Sequence, residues 1–136
     1  MRVLVVEDDI GVNTVLVESL QAAGAEVIDA AFSGEEAIGL ALRTPYDLVM
    51  LDLLLPGVGG LDILPLLRTA APEAVITIAS GYPNLVTETD MLYANLVFSK
   101  PFSLGKTRRL VELSRGITQN RLALRDLGDL VPATEG

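Results

Sequence analysis

The chain of 136 residues contains no cysteine, no histidine and no tryptophan. Without cysteine there is no disulfide, no zinc thiolate site and no thiol catalysis. Without histidine there is no Ser-His-Asp triad and no imidazole metal site. Aromatic residues make up only 4% of the chain against 50% hydrophobic residues in all, so the core must be aliphatic. That apolar share argues against disorder, and the length suits one compact domain rather than two. No apolar run approaches the roughly 20 residues needed to cross a bilayer. The apolar start, Val3 to Val6, is too short for a signal peptide and runs straight into acids. A cytoplasmic protein without a membrane partner is expected. Positive charge is also scarce: ten Lys and Arg stand against eighteen Asp and Glu, a net charge of -8. Such a surface repels phosphate backbones, which argues against a nucleic-acid partner and suits a basic partner or a bound cation.

What is present is an alternation of short apolar runs and amphipathic segments, the pattern of a parallel sheet with covering helices. Val3 to Val6 shows no polar alternation and reads as a strand buried on both faces. Asp9 can cap a helix whose apolar stripe is Val12, Val15, Leu16 and Leu20, with Gly24 ending it. A second strand is expected over 27–31. Ser33 and Glu36 have capping-box spacing for a helix through Leu42 that Pro45 closes. The third strand, Leu48 to Leu51, ends in Asp52. Pro56 to Gly60 is a turn, in which Gly57, Gly59 and Gly60 read as turn geometry rather than a phosphate cradle. The next helix, near 61–68, contains Pro65, which predicts a kink or a late start. A fourth strand over 75–79, a short helix near 84–93, a fifth strand over 96–99 and a last helix from Ser103 to about Gln119 complete the pattern.

Ligands of open α/β sheets sit outside the carboxyl ends of the strands. Those ends carry Glu7 and Asp8, then Asp52, Ser80 and Lys100. Three carboxylates brought together repel one another, and Lys100 returns only one charge, leaving two. A single Mg2+ cancels that remainder, takes oxygen ligands and can neutralise an incoming phosphoryl group. Asp52 between such an ion and a lysine is a reasonable phosphoryl-accepting nucleophile. Asp9 is better read as the cap than as a ligand.

Four segments, Leu4-Val5-Val6-Glu7-Asp8-Asp9, Val49-Met50-Leu51-Asp52-Leu53-Leu54-Leu55-Pro56-Gly57, Ile78-Ala79-Ser80-Gly81 and Ser99-Lys100-Pro101-Phe102, resemble in order and spacing the signatures of response-regulator receiver domains. The resemblance covers about residues 1 to 120, leaving 121–136 as a C-terminal tail or a helix extension. It implies a single doubly wound, flavodoxin-like five-stranded parallel sheet of order 2-1-3-4-5 with five helices. It also implies that Asp52 takes a phosphoryl group from a phosphohistidine on a sensor histidine kinase or histidine phosphotransfer protein, and that a downstream protein reads the change. Asp8, Asp52 and the Leu54 backbone carbonyl would ligate Mg2+, with Glu7 acting through a water. Ser80 and Lys100 would hold phosphoryl oxygens, and the peptide before Pro101 would be cis. A receiver acts only on its own phosphorylation state and turns over no separate substrate, so it is not an enzyme in the usual sense.

The chain departs from the family pattern between Ser80 and Lys100, which looks about two residues short. Val97 stands where an aromatic switch residue is usual, and Phe98 beside it should point the other way. Leu54 and Tyr82 are bulky where phosphoryl lifetime is commonly tuned, which predicts slow autodephosphorylation. An alternative is a receiver-like interaction module that works without phosphorylation. A dehalogenase-type phosphatase would want an Asp at Leu54, and a flavodoxin a hydroxyl-rich loop in place of Glu7-Asp8-Asp9; neither fits. In the tail, Leu110, Leu113, Ile117, Asn120, Leu124, Leu127 and Val131 recur at spacings of three and four. Either the last helix continues and pairs with another chain, or Leu110, Leu113 and Ile117 face the core and the later leucines cap its edge. Gly116 and Gly128, each costing a helix about 1 kcal/mol relative to Ala, favour the second. A monomer or weak dimer is expected.

Overall fold

A computed structural model describes residues 1–57 and 59–127. Five parallel strands, β1 (Arg2–Val6), β2 (Val27–Ala31), β3 (Leu48–Asp52), β4 (Val75–Ser80) and β5 (Leu96–Ser99), lie in the order β2-β1-β3-β4-β5. Four α-helices cover them: α1 (Ile10–Ala22), α2 (Gly34–Arg43), α3 (Gly60–Ala70) and α4 (Leu104–Leu127). The unbroken apolar runs of β1 and β3 are explained by two cores. Leu4, Val6, Val49, Leu51, Ile76 and Ile78 meet α2 and α3 on one face. Val3, Val5, Leu48, Met50, Val75 and Phe98 meet α1 and α4 on the other. With side chains alternating across a strand, both faces must be apolar.

The helix starts follow their caps. Asp9 accepts from the Val12 N–H at 3.0 Å, Ser33 from the Glu36 N–H at 3.2 Å, and Ser103 from the Lys106 N–H at 3.1 Å. Gly24 follows α1 with φ +100°, a left-handed geometry that favours glycine. α3 begins promptly at Gly60 and carries Pro65 inside it.

Three expectations are corrected. The stripe Val12, Val15, Leu16, Leu20 is rotated: Val12 and Val15 are exposed, and the buried residues of α1 are Asn13 and Leu20. There are four helices rather than five among the described residues. Between β4 and β5 only two single 3-10 turns form, Pro83–Leu85 and Asp90–Leu92. There the Asp90 carboxylate accepts from the Thr87 N–H at 2.8 Å, and the Thr87 hydroxyl accepts from the Asp90 N–H at 3.2 Å. Such local bonds compete with helical ones. Finally, α4 continues past Gln119 to Leu127, and its inward residues are Thr107, Leu110, Val111 and Ser114. Leu113 and Ile117, expected in the core, are exposed. Val131 and Gly128 lie outside the described residues.

Candidate functional site

The carboxyl ends of β1, β3, β4 and β5 meet at one edge of the sheet. Glu7 and Asp8 follow β1 and Asp52 ends β3. One carboxylate oxygen from each of Glu7, Asp8 and Asp52 can be chosen so that all three lie within 4.8 Å of one another. Glu7 is buried, Asp52 half-buried and Asp8 exposed. Asp9, as expected of the cap, is not part of the cluster. Lys100, directly after β5, donates from Nζ to Glu7 Oε1 at 2.8 Å and lies 3.5 Å from Asp52 Oδ1. Burial works against its ammonium form, but the bond to Glu7 and the charges of Asp52 and Glu7 outweigh this and raise its pKa above the ordinary lysine value. The peptide between Lys100 and Pro101 is cis.

Ser80 ends β4, one residue past Ala79, which pairs with Asp52. Its buried hydroxyl oxygen accepts from the Tyr82 N–H at 2.8 Å, which leaves the hydroxyl hydrogen free to turn toward an anion. Its carbonyl accepts from the Lys100 N–H at 2.8 Å, which ties the ends of β4 and β5 together. Val97 packs toward the α2/α3 core, while Phe98 turns to the opposite face and stacks with Phe102 at 5.1 Å. Phe98 therefore does not stand in for the missing aromatic. Leu54, two residues after Asp52, and Tyr82, two after Ser80, are both exposed.

Two residues support the site in ways the sequence did not show: Asn13, which it did not single out, and Gly60, which it read only as turn geometry. Asn13 is fully buried, and its amide donates to the carbonyls of Glu7 at 3.0 Å and Ala31 at 3.3 Å, fixing the backbone that presents Glu7. A polar residue within an apolar helical repeat is ambiguous until the helix phase is known. Gly60 touches the end of β3: a Cβ there would overlap the Asp52 carbonyl oxygen and crowd Leu53. Its N–H donates to the Leu53 carbonyl at 3.1 Å, closing the loop onto the strand. A cavity of about 490 Å³ lined by Tyr46, Ala71, Thr118 and Leu122 lies at the other end of the strands, away from this chemistry.

The donor set suits Mg2+: three clustered carboxylates, all oxygen, opposed by one lysine, at a solvent-facing edge where waters can complete the shell. Comparison with known proteins agrees. The family model "Response regulator receiver domain" matches residues 3–112. SilR of Salmonella typhimurium, a probable transcriptional regulatory protein, is 38% identical over 142 residues, covering 96% of this chain and 60% of its own length. The cell cycle transcriptional regulator CtrA of Caulobacter vibrioides is 31% identical over 93% of this chain and 57% of its own. The chain thus spans about three-fifths of these relatives. Sporulation initiation phosphotransferase F of Bacillus subtilis is 29% identical, covering 82% of this chain and 90% of its own. Among solved structures, the response regulator TrrA of Thermotoga maritima in complex with Mg2+ and BeF superposes with a TM-score of 0.75 at 31% identity, covering 83% of this chain and 97% of its own. With the acidic cluster at the strand ends, the 2-1-3-4-5 sheet and the family match over residues 3–112, this chain belongs to the receiver domains of two-component response regulators.

Proposed function

We propose that Asp52 is the phosphoryl acceptor and takes its phosphoryl group from a phosphohistidine on a sensor kinase or histidine phosphotransfer protein. The observation that carries this reading is the convergence of Asp52 with Glu7, Asp8 and the Lys100 ammonium at one sheet edge. An Asp52 carboxylate oxygen attacks phosphorus, the phosphorus–nitrogen bond breaks and its electron pair returns to the donor imidazole. Lys100 balances the phosphoryl charge, and the Ser80 hydroxyl donates to a phosphoryl oxygen. Asp8, Asp52 and the Leu54 backbone carbonyl would hold Mg2+, with Glu7 acting through a water. The bound ion supplies charge neutralisation for the acids and the incoming group. Receiver domains are signalling modules; here a partner protein reads the change, and no separate substrate is turned over.

The test is intact-protein mass after exposure to a small phosphodonor, with and without Mg2+, for the wild type and Asp52→Asn. A metal-dependent adduct that is lost in the variant supports the reading. No adduct under any condition sinks it and favours a second reading, a phosphorylation-independent interaction module. Val97 in place of the switch aromatic and the missing helix between β4 and β5 speak for that alternative.

A further inference from the structure

Asn13 is the one polar side chain that α1 buries. It is 1% exposed and lies two turns before Leu20, on the same helix face. An amide on such a face costs stability unless it is hydrogen-bonded. Its nitrogen donates to two carbonyl oxygens, Glu7 at 3.0 Å and Ala31 at 3.3 Å. Both partners can only accept, so the amide has one possible orientation. Ala31 closes β2 and Glu7 follows β1, so Asn13 joins the ends of two neighbouring strands. A polar group kept where an apolar one would pack is the kind of local conflict found at functional sites.

What Asn13 holds is the root of Glu7. The Glu7 N–H donates to the Ala31 carbonyl at 3.0 Å, and its own carbonyl accepts from Asn13. The Asn13 N–H also donates to the Asp9 carbonyl at 2.8 Å, so one residue grips both ends of the turn that carries Asp8. At the tip of the Glu7 side chain, Oε2 accepts from the Asp9 N–H at 3.3 Å and Oε1 from Lys100 at 2.8 Å. Every polar atom of Glu7 is thus engaged, and at 3% exposure its carboxylate has no solvent to swing into.

We propose that Asn13 is a positioning residue of the phosphoryl site: through Glu7 it sets where the Lys100 ammonium stands. This rests on the reading of Asp52 as the acceptor. Lys100 Nζ lies 2.8 Å from Glu7 but 3.5 Å from Asp52. The ammonium is near enough to balance an incoming phosphoryl charge, yet it does not close on the nucleophile. Loosening the Glu7 main chain removes that hold. Asp52 is the other carboxylate that Lys100 reaches, so the freed ammonium closes on the attacking oxygen. A displacement of about 1 Å is enough to slow a positioned reaction strongly. Asn13 bonds to neither Asp52 nor Lys100 and acts through Glu7 alone.

The chain has two lysines, Lys100 and Lys106, which makes their ammonium groups a direct probe. NMR of the metal-free full chain should show one side-chain ammonium protected from exchange, and Lys100→Met should remove it. Asn13→Leu keeps a similar volume without the amide. It should lose the protected signal and slow phosphoryl uptake from a small phosphodonor with Mg2+ on the order of 10-fold. Leu20→Ala is the control, because it empties the same buried face of α1 without touching Glu7. It should destabilise the domain yet keep the signal, with uptake within about 2-fold of wild type. Where Asn13→Leu does not fold, Asn13→Ala, which leaves space instead of bulk, carries the same test. An unchanged signal or an unchanged rate in the Asn13 variant would overturn the proposal. So would equal losses in Leu20→Ala, or a wild type with no protected ammonium. A wild type that takes up no phosphoryl group sinks the Asp52 reading instead. The ammonium signals, recorded without metal or donor, then still decide whether Asn13 sets the position of Lys100.

Discussion

Lys100 reaches across the site to Glu7, Nζ to Oε1 at 2.8 Å, and stands farther from Asp52, at 3.5 Å. The lysine is therefore anchored by the buried carboxylate, and the half-buried Asp52 is less fully compensated. In a cluster of three acids with one cation the carboxylates repel one another, and Lys100 offsets the charges of Glu7 and Asp52 but has no described ion pair with Asp8.

Asp52→Asn should change the stability of the metal-free protein by no more than about 1 kcal/mol, because it removes the repulsion by Glu7 and Asp8 together with the longer ion pair to Lys100 and leaves the Lys100–Glu7 pair intact. Mg2+ should raise the melting temperature of the wild type by binding only the folded state, and raise that of Asp52→Asn much less. Thermal unfolding with and without Mg2+ checks both. Equal shifts in the two proteins would place the ion elsewhere.

Leu54→Asn should shorten the lifetime of the phosphorylated protein. Leu54, two residues after Asp52, is exposed and apolar and has no group that could orient an attacking water. An amide at position 54 can. An increase in decay rate on the order of 10-fold is expected from one added hydrogen bond to the water. Decay followed by intact mass decides it, and equal rates would remove the idea.

Gly60→Ala should be costly for a position at a helix start. Its Cβ would overlap the Asp52 carbonyl oxygen and press on Leu53, both backbone. Relief requires moving the end of β3, at a cost of about 2–4 kcal/mol. Phosphoryl uptake should fall along with stability, since the displaced group is Asp52 itself. Denaturant unfolding within about 0.5 kcal/mol of wild type would show that the loop gives way instead.

Tyr46→Phe tests a tie between β2 and the loop before β3. The buried Tyr46 hydroxyl donates to Asp29 at 2.6 Å. Burial first, then the bond to Asp29 and its charge, raises the phenol pKa well above its ordinary value of 10.0. The folded state thus holds the proton more tightly than the unfolded state. The resulting stability is fully present below about pH 10 and is lost as pH rises from there toward the folded pKa. Tyr46→Phe should cost about 1–2 kcal/mol at neutral pH. The gap between the two proteins should narrow above pH 10. A gap constant to pH 11 would contradict the shift.

Strand positions, helix caps and the placement of Glu7, Asp8, Asp52, Ser80 and Lys100 at strand ends were all legible in the sequence. These depend on local rules: continuous apolar runs, cap spacing and the residue next to each strand end. The helix expected near residues 84–93 was misread because Thr87 and Asp90 satisfy each other's backbone groups locally, which apolar spacing does not reveal.

What only the tertiary structure decided is which groups meet and which faces are covered. Lys100 and Glu7 are 93 positions apart, and their bond exists only because β1 and β5 end at the same sheet edge. The inward turn of Asn13, the close approach of Gly60 to Asp52 and the exposure of Leu113 and Ile117 likewise depend on neighbours distant in sequence. A helical repeat shows that an apolar face exists; which side is buried depends on the sheet it lands on and on how far the helix extends beyond it.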